Sequence, residues 1–181
     1  MKTGHELFVH GLTDILSGEK QLVRALQRLA DDSSNEQLKR AFLTHRKETE
    51  GHIERLNECF KLLGEIPEQS ECKGIKGLIE ERKAFTEENP EADILDIFDV
   101  GAGIKTEAYE ICAYTYLIRM AREMNHTRVA RLLGENLKEE KVALQKLEAF
   151  SKKLKPEEMM TAEEAATAGI ASDERPARRV A

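Results

Sequence analysis

Four long segments of the chain carry apolar residues at alternating steps of three and four, the spacing of one face of an α-helix. They span about residues 3–30, 34–63, 91–124 and 127–154. A shorter segment at about 73–88 is poorer in apolar residues and predicts a short helix that lies across the others. No segment alternates between apolar and polar residues as a half-buried β-strand does. The pattern therefore predicts an all-α protein.

Residues typical of helix ends separate these segments. Ser33, with Glu36 three residues later, predicts a capping box at the start of the second long helix. Thr127 predicts the N-cap of the fourth long helix. After the last helix, residues 156–181 end in a charged stretch without an apolar pattern and are predicted to be a mobile tail. Residues 1–155 are thus predicted to form the one domain.

The lengths of the connections predict how the helices pack. The first and second long helices are joined by a short turn, and so are the third and fourth, which makes each pair antiparallel neighbours. A longer crossover, which contains the short helix, joins the second helix to the third. This is the connectivity of ferritin-like bundles. The predicted fold is a ferritin-like antiparallel four-helix bundle with a short extra helix in the crossover.

Composition and charge narrow the function classes. The net charge of −6 gives no basic excess of the kind that binds nucleic acid. No apolar run approaches the roughly 20 residues that span a bilayer, and the N-terminus lacks the apolar core of a signal peptide. The chain has three cysteines, an odd number, and no two of them form a C-x-x-C pair. We expect a cytoplasmic protein with free thiols that binds neither nucleic acid nor membrane.

Each long helix interrupts its apolar stripe with polar residues near its midpoint. In an antiparallel bundle the midpoints meet at one level, so these side chains are predicted to form a cluster inside the bundle. The interruptions are Glu19 in the first helix, His45 and His52 with Glu48 beside them in the second, Glu107 with Glu110 in the third, and Asn136 with Glu140 in the fourth.

So many buried carboxylates would strongly destabilise the fold unless their charge were compensated. A pair of divalent ions would compensate it, and carboxylate with imidazole suits iron or manganese, and also zinc. We predict a dinuclear site, with iron as the favoured metal. The Glu-x-x-His pattern of such bundle sites does not occur on the second or the fourth long helix. The spacings His45-x-x-Glu48 and Glu48-x-x-x-His52 can instead place two ligands on one face.

Two interpretations of the polar layer remain open. In the first, Glu107 or Glu140 bridges two metals, Glu19 is a terminal ligand, and a histidine completes the set; with iron, the site could react with peroxide or dioxygen. In the second, the layer is a metal-free network that fixes the register of the helices, and the protein is a non-enzymatic interaction or structural protein. Taken singly, Glu48, Glu110 and Glu139 could each be solvated surface charges.

The same polar residues carry a family resemblance. The matching pieces are Glu19–Leu22, His45–Leu56, Cys72 with Gly77–Glu80, Glu107–Tyr114 and Leu137–Lys141. In this order they resemble the YciE/YciF-type ferritin-like proteins, the domain-of-unknown-function 892 group. The resemblance covers about residues 4–154.

The resemblance implies a ferritin-like bundle with a short crossover helix, often a homodimer, related to rubrerythrin-like di-iron proteins and associated with bacterial stress responses. One departure concerns Ala108, because relatives often carry Glu-His-Tyr-Glu at this point of the helix; metal affinity here could be weaker or the site altered. Carried over by position, the implied metal-site residues are Glu19, His45, Glu48, His52, Glu107, Glu110 and Glu140.

Overall fold

The computed structural model describes residues 2–153 and 159–169, and it has the all-α fold expected from the sequence. Within those residues there is no β-strand. The helices are α1 (Gly4–Asp32), α2 (Glu36–Leu63), α3 (Lys73–Glu87), α4 (Ala92–Glu123), α5 (Thr127–Ser151) and α6 (Ala162–Thr167).

The turn between α1 and α2 corrects the expected capping box. Asn35, not Ser33, caps α2, and its side-chain oxygen accepts hydrogen bonds from the backbone N–H groups of Gln37 and Leu38. The Ser33 hydroxyl is used elsewhere, since it donates to the carboxylate of Asp96 at 2.7 Å. The predicted capping box is therefore wrong, and α2 begins two residues later than expected.

The turn between α4 and α5 begins one residue earlier than expected, because α4 ends at Glu123. Asn125 adopts a left-handed conformation with φ of 60°, and the N–H of His126 bonds back to the carbonyl of Ala121 at 2.8 Å. Because this closes α4 so quickly, His126 takes the N-cap position and Thr127 is already the first residue of α5. The prediction that Thr127 caps the helix is wrong by one position.

The four long helices pack as a bundle in which α1 lies chiefly against α2, and α4 against α5. Two apolar clusters fill it, one at each side of the polar layer. The first contains Phe8, Leu12, Phe60, Tyr114 and Leu133 among others. The second contains Leu22, Leu26, Phe42, Cys72 and Leu147 among others. The polar layer is therefore held between two apolar blocks.

The crossover helix α3 packs on α1 and α4 and is fastened by one arginine. The guanidinium of Arg82 donates two hydrogen bonds to the buried carboxylate of Asp99, both at 3.0 Å, and a third to Asp32 at 2.9 Å. One side chain thus ties α3 to α4 and to the end of α1.

Residues 156–158 and 170–181 of the predicted tail lie outside the described residues. Between them, α6 is a short helix in the part of the tail that the structure describes. Among the helices of the described ranges, none combines the length and the apolar character that crossing a membrane requires.

Candidate metal centre

The polar layer is buried at the level where the four helix midpoints meet. The side chains of Glu19, His52, Glu110 and Glu140 are each 0% exposed, and Glu107 and His45 are nearly as well covered. Glu48 differs from the other sequence-predicted residues because its side chain is 29% exposed at the edge of the layer. The structure therefore brings six of the seven predicted residues into the interior and leaves Glu48 at the rim.

Two groups of ligand atoms lie in this layer, and they share one glutamate. Glu19, His52 and Glu140 form one group, and His45, Glu107 and Glu140 form the other, each with its atoms within 4.8 Å of one another. Glu140 Oε1 lies 2.9 Å from His52 Nδ1, whereas Glu140 Oε2 lies 3.5 Å from His45 Nε2. The two oxygens of one carboxylate thus face different groups, an arrangement that suits a carboxylate bridge between two ions.

Each histidine presents one ring nitrogen to the layer and has the other held by an outer carboxylate. His45 Nδ1 contacts Glu48 Oε2 at 3.2 Å, and His52 Nε2 contacts Glu139 Oε2 at 2.9 Å. Outer carboxylates of this kind fix the tautomer and the orientation of metal-binding imidazoles. The position of Glu48 therefore favours a supporting role for it rather than direct ligation.

Several carboxylate oxygens of the layer have no hydrogen-bond partner. Among the described residues, the buried unpartnered oxygens include Oε2 of Glu107 and both oxygens of Glu110 and of Glu140. Glu140 contacts the histidines at ion-pair distance but without the alignment of a hydrogen bond. Unpartnered buried carboxylate oxygens are costly. Hard oxygen donors beside imidazole nitrogens fit a pair of divalent cations.

The shifted pKa values of the buried groups also fit a pair of bound cations. Burial raises the pKa of Glu110 well above that of an ordinary glutamate, and the nearby carboxylates of Glu140 and Glu19 raise it further. Burial lowers the pKa of His52, but contacts with Glu140 and Glu19 outweigh this and raise the pKa to about 10. The site thus disfavours its own negative charge, and bound divalent cations would reverse that preference.

An outer network supports the layer from α2, α4 and α5. The Tyr114 hydroxyl donates to Glu19 and accepts a hydrogen bond of 2.9 Å from the Asn136 amide. The Arg55 guanidinium donates to Asn136 and to Glu139. The sequence prediction did not include Arg55, although its position three residues after His52 could have placed it beside the site.

The chain is similar in sequence to a known protein family. A family model described as "Domain of unknown function (DUF892)" matches residues 3–160. Protein YciF from Escherichia coli (strain K12) is 39% identical over 142 residues, which are 78% of this chain and 86% of that protein.

Two solved structures are similar along most of their length. The E. coli stress protein YciF has a TM-score of 0.81 at 37% identity, over 84% of this chain and 96% of that chain. YcfI from Rhodopseudomonas palustris, described as a candidate structural protein, has a TM-score of 0.79 at 37% identity, over 82% of this chain and 94% of that chain.

Proposed function

The chain belongs to the DUF892 family of YciF-like stress proteins with a ferritin-like bundle, and we propose that its buried carboxylate–histidine layer binds a pair of metal ions. One observation carries the proposal: the two oxygens of Glu140 face two separate groups of ligand atoms. Iron is the metal that we favour, and manganese and zinc also suit this donor set.

The residues divide into two half-sites and their support. Glu19 and His52 would hold one ion, His45 and Glu107 the other, and Glu140 would bridge them. Glu110 adds two further buried oxygens at the same level. Glu48 and Glu139 would keep the two imidazoles oriented through their outward nitrogens.

Such a centre suits the removal of peroxide or dioxygen. When bound, an iron pair would supply the electrons that reduce these small oxidants. The chain's part is to hold the carboxylates and imidazoles in fixed positions and to limit the water around them, and the full burial of Glu19, Glu110 and Glu140 supports this. E. coli YciF is called a stress protein, and we propose a stress role of the same kind here.

Metal analysis of a matched pair of variants tests the proposal. The untagged protein is purified without chelator, loaded anaerobically with ferrous ion, desalted and assayed for iron, manganese and zinc. About two metals per chain are expected, with a clear loss in Glu140→Gln. The control Glu148→Gln changes an exposed glutamate of the same helix and should retain the wild-type content. A folded wild-type chain that holds no metal after loading would overturn the proposal.

A second candidate function is a non-enzymatic structural or interaction protein. Two observations favour it: each histidine contacts the carboxylates of the layer, so protonated imidazoles could neutralise them without metal, and the similar YcfI is described as a candidate structural protein. The same assay separates the two functions. A metal-free wild type as stable as the loaded protein would favour the structural role.

We also propose that the protein acts in the cytoplasm as a homodimer, with neither nucleic acid nor membrane as a partner. The free thiols of Cys59, Cys72 and Cys112 support a reducing compartment. Sedimentation analysis at several concentrations tests the dimer, and a mass of one chain throughout would contradict it.

A further inference from the structure

A cavity of about 860 Å³ opens in the half of the bundle that holds the second apolar cluster. Residues of five helices, α1 to α5, line it. Protein interiors are packed so closely that few voids exceed the size of a water molecule. A space of this volume is instead in the range of about 300–1,000 Å³ that is typical of small-molecule sites.

Small residues on facing helices create the space. The lining includes Ala25 of α1, Ala41 of α2, Ala102 of α4 and Ala143 of α5. The core of the other half of the bundle contains the large side chains of Phe8, Phe60 and Tyr114. Small side chains at these positions of the lining therefore contribute to the space.

The cavity runs from an apolar wall to the polar layer. Leu22, Leu26, Phe42 and Leu147 contribute to the wall. At the inner end it is lined by His45, Glu107 and Glu110. Glu110 is fully buried there and has no hydrogen-bond partner on either carboxylate oxygen. An occupant would thus lie along an apolar surface and end next to the candidate metal centre.

The exposed end of the cavity is positively charged, although the whole chain carries a net charge of −6. The exposed charged side chains that line it are Arg28, Lys83, Lys146 and Lys153, against Glu80 and Glu87. Lys83 and Lys146 pair with glutamates. Within the described part of the chain, Arg28 and Lys153 form no ion pair, so both can bind an anion.

We propose that the cavity binds a single-chain amphipathic carboxylate, with its head at Arg28 and Lys153 and its acyl chain along the apolar wall toward the polar layer. The orientation follows from solvation and charge, because Arg28 and Lys153 lie at the exposed end of the cavity, whereas a carboxylate at the buried inner end would lose its hydration. Burial of the chain supplies most of the affinity. The binding does not depend on bound metal, so the proposal stands apart from the proposed function.

Calorimetric titration of the full-length, metal-free protein with decanoate, below its micelle concentration, tests the proposal. Saturable binding of one decanoate per chain is expected. Ala102→Phe places a large ring in the cavity and should abolish the binding. Ala84→Phe makes the same change on the exposed face of α3, outside the cavity, and should leave it unchanged. Ala25→Phe repeats the test from α1 if Ala102→Phe loses helicity.

The head-group assignment needs a second comparison. The Arg28→Glu, Lys153→Glu variant should bind decanoate about tenfold more weakly, since two favourable charge interactions become unfavourable. It should bind the uncharged 1-decanol as the wild type does. Equal weakening for both ligands would overturn the assignment of the head to these two residues.

The remaining outcomes overturn the proposal. Absence of saturable binding would do so, as would equal binding by the Ala102→Phe and Ala84→Phe variants. If decanoate does not bind and Ala102→Phe converts a dimer into monomers in sedimentation, the cavity is covered by a second copy of the chain instead. Metal content is measured separately, so failure here leaves the metal proposal untouched.

Discussion

His52 and Glu140 meet inside the bundle with Nδ1 and Oε1 2.9 Å apart, and the residue next to Glu140 holds the opposite side of the same ring. Glu139 Oε2 lies 2.9 Å from His52 Nε2. Two consecutive glutamates of α5 therefore contact both nitrogens of one imidazole. Buried Glu140 also lies near His45 in the polar layer, and the partly exposed Glu139 faces outward, where Arg55 donates to it.

The first prediction concerns this outer contact. Glu139→Gln should weaken metal binding by about 10- to 100-fold while the number of metals per chain stays the same, because the outer carboxylate orients His52 and raises its basicity. Competition with a chelator of known affinity measures the change. Glu148→Gln on the same helix should leave the affinity as in the wild type, and an equal loss in both variants would contradict the positioning role.

The second prediction concerns Tyr114. Tyr114→Phe removes the hydroxyl that donates to Glu19 and accepts from Asn136, and leaves two buried polar groups short of a partner. The free energy of unfolding of the metal-free protein should fall by about 1–3 kcal/mol. Urea denaturation followed by circular dichroism checks it. Tyr116 on the same helix is 55% exposed, so Tyr116→Phe should change stability by less than about 0.5 kcal/mol.

The sequence indicated much of the polar layer because helical period and turn length are local properties. Glu19, His45, Glu107 and Glu140 each occupy a stripe position near a helix midpoint, and short turns bring those midpoints to one level. Whether these residues bind metal stays a prediction.

Other features of the structure depend on contacts between residues that are far apart in sequence, which a local pattern does not show. The sequence alone is compatible with Glu139 as a solvated surface charge, yet in the structure its side chain contacts His52. The Ser33 hydroxyl donates a hydrogen bond to Asp96 of α4, which is distant in sequence, and it does not cap α2. The sequence pattern does not predict the cavity either, because small residues such as Ala41 and Ala102 leave space only at the helix separation of the folded bundle.

The third prediction concerns thiol reactivity. Cys59 is completely buried, and its burial raises the pKa of the thiol to about 12, while Cys72 is also buried and Cys112 is exposed. Because the thiolate is the reactive form, iodoacetamide at neutral pH should modify Cys112 alone in the native protein. Mass spectrometry of the digested protein locates the label. All three cysteines should react in denaturant, and rapid native labelling of Cys59 or Cys72 would contradict their burial.

The fourth prediction concerns the arginine that fastens α3. Arg82→Met leaves the buried Asp99 carboxylate without its two hydrogen bonds and without a countercharge. Breaking a buried pair from one side typically costs about 3–5 kcal/mol in the free energy of unfolding. Lys83→Met removes a neighbouring exposed ion pair and should cost less than about 1 kcal/mol. Denaturation at neutral pH compares the two variants.

The stability lost in the Arg82→Met variant should depend on pH. Burial raises the pKa of Asp99 above its ordinary value, and Arg82 opposes that rise. Without Arg82 the pKa of Asp99 rises further, so the folded variant binds a proton more tightly than the unfolded chain does. Its stability relative to the wild type should therefore improve as pH falls below the folded-state pKa of Asp99, and should worsen as pH rises through it. If the loss of unfolding free energy relative to the wild type stayed constant between about pH 4 and pH 8, a charged Asp99 could not be its cause.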